Sequence, residues 1–278
     1  MNYGLNWSLE KQQQSDKDWI FGATSTKCLA TIPPSLRWAY LPVGEVQRGA
    51  EDMMDCASRA PLNILETKFN FLIANKLISP DNIKWLKDKG YIGLQDSIEF
   101  SDAFVAINSG TTRQGNSLKA PLEAIRTQGL IPKSMLPLEK WMTWEDYHNP
   151  ERITPAMVKL GMDFASRFRI NYEKVYETNF ENILKTDLLD CAGYAWPEPV
   201  EGEYPRTTLD PNHAFMVFNN PRYNIFDNYL DTVDGDFIKK LTTDYDLMDY
   251  GYRVFISKEV PSPPKRNWLW ELLKRIFT

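Results

Sequence analysis

The texture of the chain changes near residue 191, and that change limits the folds open to it. Before it, apolar residues recur at the i, i+3, i+4, i+7 spacing of amphipathic helices; after it, they come in short β-rich runs. Residues 53–90 carry the helical pattern through Leu62, Ile64, Leu65, Phe69, Leu72 and Ile73, with a break at "SPDN" and a stop at Gly90. "GNSLKAPLEAIRTQGLIP" predicts a further helix, with Asn116 or Ser117 as N-cap and Gly129 just past its end. Two more helical patterns, "TPAMVKLGMDFASRF" and "TNFENILKTDLLD", lie within 150–190. Then "HAFMVFN", "YNIFDNYL" and "YGYRVFIS" read as antiparallel strands separated by Asn, Pro and Gly. A helical half followed by a mostly β half predicts an α+β fold.

Four segments are expected: an N-terminal extended arm (1–44), a mainly helical subdomain (45–190), a β-rich subdomain (191–260), and a proline hinge with a C-terminal amphipathic helix (261–278). The arm contains "TIPPSLRWAYLPVGEV", expected to run extended because a residue before proline is pushed out of the α region. The tail helix sets Trp268, Leu272 and Ile276 along one stripe beside Lys265, Arg266, Lys274 and Arg275, a surface for docking on a partner protein or on the body of the chain, with a membrane surface as the less favoured alternative.

Composition removes several classes of function. A net charge of -5 argues against nucleic acid as a partner. The N-terminus lacks the pattern of a secretory signal, and no run of 18 apolar residues exists to form an integral membrane segment, so a cytoplasmic location is expected. Three scattered cysteines do not make a disulfide framework. Cys28 and Cys191 have no histidine or second cysteine at ligand spacing. "DNYLDTVDGD" does not fit a calcium loop, and "GTTRQGNS" does not fit a phosphate cradle. The expectation is no metal and no cofactor.

Chemistry must then come from side chains, and only two histidines exist. His148, in the proline-bounded "WEDYHNP", reads as an exposed loop residue. His213, in "DPNHAFMVF", sits at the mouth of a strand, where it is either a structural histidine or one that reaches a cleft. Asp227 follows it by 14 residues among apolar neighbours, a spacing that suits adjacent antiparallel strands. A carboxylate there needs a partner, and an imidazole would be oriented by it. Cys56 heads the first long helix, as a small core residue or as a thiolate held by the helix dipole and free backbone amides. Cysteine, histidine and acid together form a nucleophile, base and orienter set.

In these stretches the chain resembles the papain-like cysteine peptidases, over roughly residues 40–257. "CASRAPLNILE" resembles the family's cysteine-headed central helix, and "GNSLKAPLEAIRTQGLIP" its Gly-Gly-Ser-Leu stretch bordering the cleft. "NHAFMV" is similar to its Asn/Asp-His-Ala strand; "FDNYL" and "YGYRVFI" stand where the family has Lys-Asn-Ser-Trp-Gly and its closing strand. His213 follows Cys56 by 157 residues, slightly beyond the family's usual 130–150. The resemblance implies a helical subdomain packed on an antiparallel β subdomain with the cleft between them. It implies Cys56 as nucleophile, His213 as base and acid, and Asp227, or alternatively Asn228, as the orienting member. Gly115, Asn116 and Ser117 would bind an extended peptide by strand addition, or serve only as a helix cap. The family's oxyanion glutamine lies six residues before the cysteine, where this chain has Ala50; Gln47 takes the role if the loop is three residues longer. Ala57, Ser58 and Arg59 depart from the residues the family places after its cysteine, and Asp227 replaces its asparagine.

The function expected is a thiol-dependent hydrolase, a peptidase acting on peptides or proteins. The other reading is an inactive papain-like module, a structural or binding part of a larger assembly. Transglutaminase-style acyl transfer would bring cysteine and histidine closer in sequence.

Overall fold

The computed structural model describes residues 4–12, 19–21, 28–29, 31–93, 95–219, 223–231 and 234–257. The tail helix expected over 261–278 lies outside them. Helices come first: α1 (Trp7–Gln12), α2 (Cys56–Ala74), α3 (Pro80–Asp88), α4 (Asp102–Asn108), α5 (Lys119–Gln128), α6 (Trp144–His148), α7 (Pro155–Arg167) and α8 (Phe180–Leu184). The strands are β1 (Arg169–Tyr176), β2 (Leu189–Gly193), β3 (His213–Asn219), β4 (Asn224–Phe226), β5 (Ile238–Lys240) and β6 (Tyr250–Ser257). They form one antiparallel sheet in the order β1-β6-β2-β3-β4-β5. The α+β expectation holds, although β1 and the start of β2 come from the segment read as mainly helical.

α2 is the axis of the molecule and packs against β3. It is buried on nearly every side, and a helix in that position must pair its polar side chains internally. Asn63 donates to Asn228 Oδ1 (2.8 Å), the Glu66 carboxylate accepts the Phe100 amide (2.8 Å), and Lys68 reaches Asp187 (2.5 Å). Its apolar side meets a ring cluster in which Phe69 touches Phe100, Phe164 and Phe168 at centroid distances of 5.7, 5.7 and 5.1 Å.

Two local expectations are overturned. Residues Pro34–Tyr40 form a 3-10 helix within the stretch expected to be extended. Pro34 lies in the first turn, where its fixed φ suits helix and no N–H is missed; Pro33 before it keeps the extended ψ of 139°. Arg37, fully buried, locks the turn down by donating to the carbonyls of Ile32 (3.1 Å), Leu184 (2.8 Å) and Phe218 (2.9 Å). "TNFENILKTDLLD" is helical only through Leu184, and its Leu189 begins β2, whose five residues are all buried. Strands covered on both faces lose the polar alternation that distinguishes them from a buried helix.

Candidate active site

Cys56 is the first residue of α2, and a cluster of charges fixes that end of the helix. Asp55, just before it, accepts Arg59 Nε (2.8 Å) and the Tyr147 hydroxyl (2.6 Å). Arg59 also lies 3.0 Å from Asp102. Arg59 and Asp55 are fully or almost fully buried, Asp102 is 14% exposed, and Glu45 lies 3.6 Å from the guanidinium, so Arg59 faces three carboxyl groups at once. Arg59→Met is expected to lower unfolding free energy by about 3–5 kcal/mol in urea titration, the usual cost of stranding a buried charge. A loss below about 1 kcal/mol would mean the cluster holds nothing in place.

Opposite Cys56, β3 opens with His213, and β4 ends one residue before Asp227. Pairing of Met216 with Phe226 brings the two strand ends together. His213 Nε2 lies 2.6 Å from Asp227 Oδ1, both side chains are fully buried, and the Ala214 amide donates to Cys56 Sγ at 3.3 Å. The residues at 56, 213 and 227 therefore meet in one place. Asn228 faces elsewhere: its side chain accepts from Asn63 and donates to the Glu45 carbonyl (3.0 Å), which leaves Asp227 as the group on the imidazole.

Three further side chains close the site, none of them singled out in the sequence. Trp196 donates its indole N–H to Asp227 Oδ2 (3.0 Å) and sets its ring edge-on to His213 (5.7 Å, 81°). Tyr229 also packs against the imidazole, tilted at 55° with ring centroids 5.2 Å apart, and donates to Asp52. Lys239 lies 2.9 Å from Asp227 Oδ2. Gln47 is buried nearby, its amide donating to the Tyr229 hydroxyl (2.9 Å) and to Asp52 (3.2 Å). His148 departs from its expected exposure: it ends α6, is buried, and its Nε2 lies 2.8 Å from the Met53 carbonyl.

Burial by itself would lower the pKa of His213, but the Asp227 carboxylate and then Cys56 outweigh it and push it up to about 10. Burial would raise Asp227; His213 and then Lys239 overcome that and hold it at about 2. Burial raises the Cys56 thiol, with His213 and the Ala214 amide pulling the other way. The stability that follows has a defined pH window. The His213 contribution is complete below its unfolded pKa of about 6.5 and is lost as pH rises through about 10. The Asp227 contribution is present above about 4 and lost as pH falls through about 2. The deficit of His213→Ala relative to the parent chain, from urea titrations, is thus expected to be greatest at pH 4–6.5 and to shrink toward pH 10. A deficit constant across pH 5–10 would contradict it.

The N-terminal segment covers this site. Leu5 pairs in parallel with Asn116: the Asn6 amide donates to the Asn116 carbonyl (2.8 Å) and the Asn116 amide to the Gly4 carbonyl (2.9 Å). The Leu5 amide donates to the Asn212 carbonyl (3.2 Å), next to His213. Gly115, at φ +89°, allows the approach, since a Cβ there would stand 1.9 Å from the Gly4 oxygen. α1 then anchors the segment through Glu10, which accepts the Leu118 amide (2.6 Å) and the Tyr250 hydroxyl. Cys56 is left 1% exposed. The side chain of Asn116 braces its own loop on Ser109 and Thr111, and the Ser117 hydroxyl accepts the Ala120 amide in the first turn of α5.

No model of a protein family matches the sequence, and no curated protein matches it in sequence. Solved structures do match in shape. Xylellain, a cysteine protease from Xylella fastidiosa, superposes with a TM-score of 0.54 at 13% identity, over 91% of this chain and 95% of its own. Procathepsin B S9 from Trypanosoma congolense gives 0.57 at 10% identity, over 93% and 87%. A recombinant stem bromelain precursor gives 0.52 at 11%, over 93% and 78%. The chain has the papain-like fold, and at this sequence distance it is a divergent example of it.

Proposed function

We propose that the chain is a thiol-dependent peptidase that forms an acyl-enzyme on Cys56. The observation that carries this reading is the juxtaposition of Cys56, His213 and Asp227, drawn from separate elements into one buried site. The Cys56 thiolate attacks the peptide carbonyl, and the oxyanion forms beside the backbone amides at the start of α2. His213 gives its proton to the leaving amine, then takes one from the water that hydrolyses the thioester. Asp227 orients the imidazole throughout. Gln47 adds an oxyanion donor by exchanging its bond to Tyr229 or Asp52 for one to substrate. The backbone of Asn116 takes the substrate by strand addition, so residues 4–6 hold the cleft closed until they leave it.

The test is alkylation by iodoacetamide or an epoxide across pH 5–9, with the adduct located by mass spectrometry and turnover of a mixed peptide pool followed in parallel. Selective modification of Cys56 below pH 7, together with peptide cleavage lost in Cys56→Ala, supports the reading. A Cys56 that reacts only as pH nears 8.5, even with the N-terminal segment displaced, returns the chain to the module without catalysis.

A further inference from the structure

Asp227 poses an electrostatic problem that His213 solves only while it is protonated. A fully buried carboxylate is costly without a countercharge, and an imidazole supplies one only while protonated. If the site works as proposed above, His213 must lose that proton in each cycle. At that moment Asp227 would stand unpaired and would draw the proton back.

β5 supplies the missing charge. Lys239 pairs with Ile225 across the β4–β5 ladder, and the Asp227 amide donates to the Phe237 carbonyl (2.9 Å), so lysine and aspartate are diagonal neighbours on one face. The Lys239 side chain is 1% exposed. Its ammonium lies 2.9 Å from Asp227 Oδ2 and donates to the Tyr229 carbonyl at 2.5 Å, with the Trp196 ring centroid 5.4 Å away. His213 takes the other carboxylate oxygen. Other polar or titratable groups facing the imidazole are Cys56 on α2 and Tyr229, with Asp52 and Gln47 behind the latter, and Asp55 beside Cys56.

We propose that Lys239 is a positioning residue of this site: its buried ammonium holds the Asp227 carboxylate against His213 and keeps that carboxylate paired when the imidazole is neutral. Lys239 thereby allows His213 to release its proton. The proposal rests on the peptidase reading for its purpose, but its electrostatics can be read without any substrate.

The chain has two histidines, so side-chain NMR of the full chain resolves the titration of His213, with His148 as a reference in the same molecule. Lys239→Met is expected to raise the His213 midpoint by about 1 pH unit, because the whole carboxylate charge then acts on the imidazolium. The expected order of midpoints is Lys239→Met, parent, Asp227→Asn/Lys239→Met, then Asp227→Asn, which leaves only the cation. An unmoved or lowered midpoint in Lys239→Met overturns the proposal. If that variant does not fold, the double variant decides: a melting temperature above that of Asp227→Asn alone supports the pairing, and one at or below it overturns it. Failure of the peptidase reading looks different, as an ordinary Cys56 thiol in a protein whose His213 midpoints still follow the stated order.

Discussion

Leu5→Asp is expected to raise the rate of Cys56 alkylation by at least about 10²-fold at pH 7. Leu5 is 2% exposed and shares the apolar cluster that contains Cys56. Burying such a side chain contributes about 1.5–3 kcal/mol, and a carboxylate in its place costs more. A change of about 2.7 kcal/mol is a hundredfold in the open population, and a reagent that reaches the thiol only in the open form reports that population directly. Cys191, fully buried in β2, should stay unmodified and so show that the body remains folded. An unchanged Cys56 rate in a folded Leu5→Asp chain would mean that residues 4–6 do not guard the site.

In that open background, His213→Ala is expected to slow Cys56 alkylation at pH 6 by about 15-fold. Once opening relieves the burial that raises the thiol, a lone thiol titrating near 9 is ionised to about one part in 10³ at pH 6. A thiol paired with an imidazolium and titrating at about 5 is about nine-tenths ionised. Part of that gain is returned, because intrinsic nucleophilicity falls by about 10^0.45 per unit of pKa, or roughly 60-fold over four units. The shape of the profile is a second readout. With His213 present the rate should be nearly flat from pH 6 to 8; without it, the rate should climb about tenfold per unit. Equal profiles for the two proteins would show that the imidazole and the thiol do not act as a pair.

Both experiments concern contacts that the sequence displayed unevenly. Cys56, His213 and Asp227 were legible because each stands at the edge of a recognisable element: the head of a helix, the mouth of a strand, and an acid inside an apolar run. Lys239 carried a fainter signal. In "FIKKL", residues 237, 239 and 241 share one face of a strand, and Phe237, Lys239 and Leu241 set a lysine between two apolar residues on the buried side. Trp196 offered no such pattern, because it lies in a loop and its role comes from the ring and indole it presents to His213 and Asp227. His148 was misread for a related reason. Its polar neighbours suggested solvent, but α6 folds back so that the ring reaches the Met53 carbonyl just before α2.

The chain's periodicities alone determined the α+β class, the long helix behind Cys56, the strand that opens with His213 and the strand that leads into Asp227, because helix and strand patterns are local and repeat within a few residues. The tertiary structure decided the rest. It alone set the 3-10 turn held by Arg37, the strand beginning at Leu189, the countercharge at Lys239 and the seating of Leu5 between Asn116 and Asn212. Each of these depends on a partner many residues away. A buried charge or an added strand is stable only where that partner meets it, and no local pattern records the meeting.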